Sequence, residues 1–358
     1  MGKNIAQKGE VDNGSKYVRI VCMKKVCFIL ALSLSFSLVF VSCGSKKIKG
    51  DFPVTLVMAE MNPEDTVVGR MDKAFKEKVE ELSGGSIKID IQYSGILGDE
   101  KQIMKIIMEE NSSIQLVRGP ANLSSYSKGK KVKSAILSVP YTFKDDLHFW
   151  KFANSAVANE ILDEPYKLGL GVKGLFYGQE GLRHYFSTQK IESVEDLKGK
   201  KMRVSGKVLT ALAKDFGSEP IEVKFTDLYA AFQTGKVEVA EQPITNYLSN
   251  SFNQVAPYLI LDGHMLGAVS VMINSKCWDS LSKNQQKILV EAGRFASDHC
   301  RKIMDETISE AVKKLREEGV VITEVSDAKP WQKACSNLQA EAYELDGDLY
   351  QKILDMAE

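Results

Sequence analysis

The stretch from Ser282 to Gly319 constrains the fold of this 358-residue chain more than any other. Ser282-Lys283-Asn284-Gln285 is a capping box that opens a helix, and Gly319 is the next glycine placed to close one. Between them Ile288, Leu289, Ala292, Phe295, Ala296, Ile303, Met304, Thr307, Ile308, Ala311, Val312 and Leu315 keep helical spacing. Unbroken, such a helix has about 36 residues and runs about 54 Å, whereas a small domain is only about 30 Å across. It must therefore lie along two lobes as a shared strut, with Gly293 the place where it could bend.

The rest of the chain alternates strand and helix. Val54–Met61 reads as a strand, and Val67, Val68, Met71, Phe75 and Val79 share one face of a helix stopped at Gly84-Gly85. Ile87–Tyr93 alternates strictly as a strand, a helix with an acidic first turn starts at Asp99, and a strand runs to Gly119. A second series starts near Gly171: strand "GVKGLFYG", hairpin-like "GLRHYFST", strand "KKMRVS", helix "KVLTALAKDFG", strand "PIEVKF" and helix "TDLYAAFQTG". Residues 267–275 add a strand. The series predicts α/β lobes with a largely parallel sheet. The expected division is residues 52–179 with 268–306 in one lobe and 180–267 with 307–358 in the other. Two such lobes on one strut imply a cleft, and ligands bind there beyond the carboxyl ends of the strands.

The N-terminus carries an address. Met23-Lys24-Lys25 precedes sixteen uncharged residues, "VCFILALSLSFSLVFV", and then Ser42-Cys43-Gly44-Ser45. That run is shorter than the roughly 20 residues of a membrane span and has the order of a signal peptide. A small residue directly before Cys43 reads as a lipoprotein box, with residues 1–42 removed, Met23 the true start, Cys43 lipidated and residues 43–51 a tether; the alternative is an uncleaved anchor. Removal takes six basic and two acidic residues from 47 of each, leaving 41 basic and 45 acidic, net −4. No basic stripe interleaved with aromatics points to a nucleic-acid partner. Cys277, Cys300 and Cys335 are too widely spaced for a disulfide framework or a metal site, though Cys300 and Cys335 could pair.

Arg203 stands near the end of the short strand "KKMRVS", where a charge needs a reason. At a strand end facing a cleft it would project towards the ligand, and Arg183, in the preceding segment, could reach the same place. Paired guanidinium forks with no adjacent acid would trap a carboxylate. The alternative is that each pairs with a surface acid such as Glu195 or Glu222.

"IQYSGILGDEKQIMKII", "SVPYTF", "GLRHYFST", "VEDLKGKKMRV", "FTDLYAAFQTGKVEVAEQP" and "KCWDSLSKNQQKIL" stand in the order and spacing of the DctP-type solute-binding proteins of TRAP transporters. The chain resembles that family over about residues 52–330. The resemblance implies a two-lobed periplasmic-binding-protein-like fold of type II, an organic-acid ligand and a membrane permease as partner. It places the ligand carboxylate on Arg203, with Arg183 also facing it. Gln242 falls where the family usually has a ligand-facing asparagine, and Phe225 matches a ring that packs on the ligand. Gln179-Glu180 replaces an aromatic residue, and a first-lobe acid or amide position falls at Arg118. Glu60, Asp99 and Asn122 complete the candidate set, though Asp99 reads equally as a helix cap. These departures leave open a more hydrophobic carboxylate as ligand, and the lipid anchor brings in a subgroup that works with a tetratricopeptide-repeat (TPR) lipoprotein.

Other classes find little support. His148, His184, His264 and His299 have no metal spacing, and neither a Gly-x-Ser-x-Gly elbow nor a phosphate-binding glycine loop occurs. The chain is expected to be no enzyme and to need neither cofactor nor metal. His184 is expected to turn away from the cleft and serve packing. A ligand-sensing receptor lipoprotein would share every feature of a transport subunit.

Overall fold

The computed structural model describes residues 52–358; the expected leader, the expected tether and Cys43 lie outside the described residues. Nine strands form one sheet: β1 Val54–Ala59, β2 Ile87–Gln92, β3 Leu116–Pro120, β4 Val172–Ser187, β5 Lys201–Val204, β6 Glu219–Glu222, β7 Val239–Pro243, β8 Tyr258–Asn274 and β9 Val321–Glu324. Their order is β2-β1-β3-β8-β4-β7-β5-β6, with β9 beside the first part of β8.

The sheet is mixed rather than largely parallel. β1, β2 and β3 run parallel at one end, and β5, β6 and β7 run parallel at the other. Between them β4 and β8 run antiparallel to each other; β8 is antiparallel to β3, and β4 to β7. β8 meets β3 through residues 269–273 and β9 through residues 258–261. Each of these two long strands thus serves both halves of the body.

Both were underread in the sequence. The expected strand plus hairpin over 171–188 is one strand of 16 residues, in which register shifts absorb the glycines. One shift spans Gln179/Leu182. There Gly181 takes φ +85°, and a Cβ would stand 2.7 Å from Ile308 Cδ1 on the long helix. Only glycine meets both demands. The strand expected at 267–275 is the second part of a 17-residue strand whose first part contains Asp262-Gly263-His264. Asp262 and His264 break the apolar pattern because their side chains serve a buried ionic cluster.

The long helix spans Lys283–Glu317, 35 residues, with the Ser282/Gln285 capping box in place. Leu289, Ala292, Ala296, Cys300 and Met304 enter the core built around Met71, Phe75 and Phe149. Further along, Ala311 and Leu315 enter the core built around Phe186, Leu228 and Tyr247. One helix therefore staples two apolar cores. Gly293 serves close packing, since a Cβ there would stand 2.5 Å from Phe176 Cδ1 on β4. Cys300 and Cys335 are buried in different cores as free thiols.

Candidate functional site

The carboxyl ends of the two parallel strand sets carry the candidate residues. Glu60 and Asn62 follow β1, Arg118 lies on β3, Arg203 is the third residue of β5, and Gln242 is the fourth of β7. Arg183, on β4, is in register with Pro243 of β7. The halves also meet at the rim: Lys224 Nζ lies 2.7 Å from Asp99 Oδ2, and Lys101 Nζ 3.7 Å from Glu222 Oε1.

Arg203 is buried at 4% exposure, and its Nε donates to the Val223 carbonyl at 3.0 Å. Among the described residues no carboxylate pairs with it. Burial holds its pKa below the ordinary arginine value, Glu241 opposes this, and the nearby Arg183 charge adds to it. It is a desolvated cation without a counterion.

Arg183 differs. It is only partly buried, and its Nε and Nη2 grip Glu241, the latter at 2.8 Å from Oε1, while Nη1 lies 3.6 Å from Glu180 Oε2. The expectation of two forks free of adjacent acid is corrected here: only Arg203 lacks one. The partner is buried Glu241, neither Glu195 nor Glu222. Arg118 is committed as well, with both Nε (2.7 Å) and Nη2 on Glu60 and Nη1 3.7 Å from Glu180. Glu60 is fully buried and also accepts from the Asn62 backbone N–H at 2.6 Å.

Glu180 sits at the β4 register shift and links the halves. Its Oε1 accepts from Asn62 Nδ2 at 2.9 Å and from Asn246 Nδ2 at 3.1 Å. The ionic chain continues through Glu241 to His264 (Nε2 3.8 Å from Oε2) and on to Asp262, 2.6 Å from His264 Nδ1. At the other end Asp72, fully buried, has its pKa pushed well up by burial and by Glu60 beside it.

The remaining candidates are placed as follows. Gln242 is buried, and its amide has no partner among the described residues. Phe225 is half-buried, 5.9 Å from the Phe252 ring, and with Met61, Ser94, Thr226 and Tyr229 it lines a cavity of about 190 Å³. Asp99 is the N-cap of the helix Glu100–Ile107 through a capping box with Gln102, and its carboxylate is also held by Lys224. Asn122 Oδ1 accepts from the Ser124 N–H at 2.8 Å, a local turn contact. His184 is buried, and its Nδ1 accepts from the Gly263 N–H at 3.0 Å.

Sequence reasoning missed Asp72, Glu180, Glu241, Asp262 and His264 as members of this cluster. The available signal was an acid inside an apolar pattern, as with Asp72 between Met71 and Phe75.

The two imidazoles titrate in opposite senses. Burial disfavours charge on His264, but Asp262 and Glu241 outweigh it and raise the pKa to about 9. Burial lowers His184 to about 4, with Asp262 in partial opposition. A raised histidine stabilises the fold fully below its ordinary 6.5 and loses that contribution as pH rises through about 9. His264→Gln should therefore cost about 2–3 kcal/mol more stability at pH 6 than at pH 10 by urea unfolding. His184 has the reverse sign: its depressed pKa makes stability fall as pH drops from 6.5 through about 4. Equal cost at both pH values would show His264 to be neutral.

Two lobes on one helix, with an unmatched buried cation where the strand ends converge, describe a solute-binding protein. A solute-binding protein of Verminephrobacter eiseniae is 28% identical over 75% of this chain and 78% of its own length. The 2,3-diketo-L-gulonate-binding periplasmic protein YiaO of Escherichia coli is 26% identical over 74% and 79%. Among solved structures, a TRAP periplasmic solute-binding protein from Polaromonas, bound to D-erythronate, superposes with a TM-score of 0.78. It is 25% identical and covers 84% of this chain and 98% of that one. The family described as bacterial extracellular solute-binding protein, family 7 (DctP), matches residues 58–346, and this chain belongs to it. It is a family of binding proteins, not enzymes. Among the described residues no helix is long and apolar enough to cross a membrane.

Proposed function

We propose that this chain is the extracytoplasmic binding subunit of a TRAP-type transporter, taking an organic acid between its lobes with the carboxylate on Arg203. The single observation that carries this is the desolvated Arg203 guanidinium without a protein counterion. An incoming carboxylate would supply two charge-assisted bonds to a group already stripped of water. Arg183 forms a wall of the site, with Gln242 and Phe225 offering an amide and a ring. The YiaO and Polaromonas relatives take 2,3-diketo-L-gulonate and D-erythronate, both hydroxylated carboxylates, and this supports the same ligand class here.

Closure brings residues 52–179 with 268–306 onto residues 180–267 with 307–358, and ligand contacts to both favour the closed state. The closed form then hands its ligand to the membrane permease. Cys43 carries the lipid that holds the protein at the membrane, and a TPR-repeat lipoprotein is a second candidate partner. Changing Cys43 to Ser should move the protein from the membrane to the soluble fraction; unchanged partition would remove the anchor. Ligand capture is tested by native mass spectrometry of the purified protein, followed by thermal unfolding with the captured compound. A carboxylate should appear, and a hundredfold excess over Kd should add about 2.7 kcal/mol of stability. Capture of an uncharged solute would overturn the reading.

A further inference from the structure

We propose that the edge of the first lobe where the chain enters is a seat for an anionic lipid bilayer, on which Lys283, Lys287 and Arg294 hold the headgroups and turn the cleft away from the membrane. This rests on the reading that Cys43 carries a lipid, which brings a bilayer within reach of that edge.

The start of the long helix and the start of the folded body lie side by side: Gln285 Nε2 donates to the Phe52 carbonyl at 2.7 Å. β8 ends at the same edge, since its Ile273 is in register with Leu116 at the start of β3, and the short helix Ser275–Ser280 that follows carries Trp278. An open hollow of about 610 Å³ lies between Trp278 and one stripe of the long helix made by Lys283, Lys287, Glu291 and Arg294. The three basic residues are exposed, Lys283 Nζ donates only to Gln286 Oε1 at 3.1 Å, and none has an ion pair among the described residues. Lys283 also stands against the helix dipole, in a first turn that contains no acid. A cation kept where it costs stability, beside others equally unpaired, points to an anionic partner outside the chain.

The length of chain ahead of Phe52 selects the bilayer as that partner. Cys43 is nine residues away, at most about 30 Å of chain, and Lys46, Lys47 and Lys49 stand between against the single acid Asp51. Phe52 is 69% exposed, and Trp278, with Lys173 Nζ 5.3 Å from its ring centroid, offers the amphipathic ring suited to the headgroup layer. Basic side chains at such a surface are drawn to anionic lipids. The carboxyl end of β1, where Glu60 enters the candidate site, is six residues or about 20 Å from this edge. A body seated here opens its cleft to the aqueous space, the orientation for capture.

The test separates the seat from the lipid. Cys43→Ser protein is mixed at low salt with phosphatidylcholine vesicles that carry a nitroxide on the headgroup, with or without phosphatidylglycerol. Trp150 and Trp331 are buried, so quenching reports on Trp278. Emission should fall only with phosphatidylglycerol and recover in about 1 M salt, where the screening length is about 3 Å. Lys283→Glu combined with Lys287→Glu should weaken vesicle partition by about 25-fold or more, at about fivefold per basic residue removed. Both sites are exposed and outside the cleft, so the variant should fold, and Lys283→Arg with Lys287→Arg should retain the binding. Quenching that is absent, equal on neutral and anionic vesicles, or unchanged in the glutamate variant overturns the seat, even where the wild-type protein is acylated and membrane-bound. Charge-dependent quenching together with a wild-type Cys43 that carries no lipid keeps the seat and removes the anchor.

Discussion

Arg203→Ala will weaken ligand binding by about 2–5 kcal/mol, a roughly 30- to 5,000-fold rise in Kd. The size follows from where the charge sits. Arg203 is 4% exposed and its one protein contact of note is the Val223 carbonyl. A ligand carboxylate brought there would lose its water and, without the guanidinium, would find no replacement. Arg203→Lys should fall between, since a point charge replaces a planar fork that can hold both oxygens. The same substitution has a second signature. The empty protein pays for an unpaired buried cation, so Arg203→Met should leave unfolding stability unchanged or raise it while binding collapses. Calorimetry with the captured ligand measures the first effect and urea unfolding the second. An alanine variant that binds as tightly as the wild type would remove Arg203 from the site.

Arg118→Met should show the opposite balance, losing about 3–5 kcal/mol of folding stability. Arg118 neutralises Glu60, which is fully buried, and lies against Glu180 and close to Asp72. Its loss strands one buried carboxylate and weakens the hold on another. Because the penalty comes from the orphaned charge, Arg118→Met combined with Glu60→Gln should recover a large part of it, and the two changes should be strongly non-additive. Urea unfolding of the four proteins in this cycle gives the coupling directly. Additive effects would mean that the pair is solvated.

These two arginines look alike in the sequence, each a basic residue in the third position of a short strand, and their roles part only in three dimensions. What was legible was local. The helix cap at Asp99, the capping box at Ser282, the alternation of β2 and the helical spacing from Ile288 to Leu315 each involve residues within a few turns of one another. The two long strands were misread because glycines and the Asp262-Gly263-His264 segment imitate turns. Their strand character comes from pairing with distant partners, and bulges supply the tolerance. The ionic cluster was illegible for the same reason: Glu241 is 58 positions from Arg183, and Glu60 is 58 from Arg118. Nothing in either local sequence says that those acids face those bases. Arg203 could be singled out because its place near a strand end is local, whereas the absence of a counterion is a fact about the whole fold.

The most direct measurement is a crystal structure of the protein with the ligand it captures. The account predicts a carboxylate whose two oxygens lie about 2.7–2.9 Å from the Arg203 guanidinium nitrogens, with Arg183 still gripping Glu241. A ligand carboxylate seated elsewhere in the cleft, with Arg203 turned onto a protein acid, would contradict it.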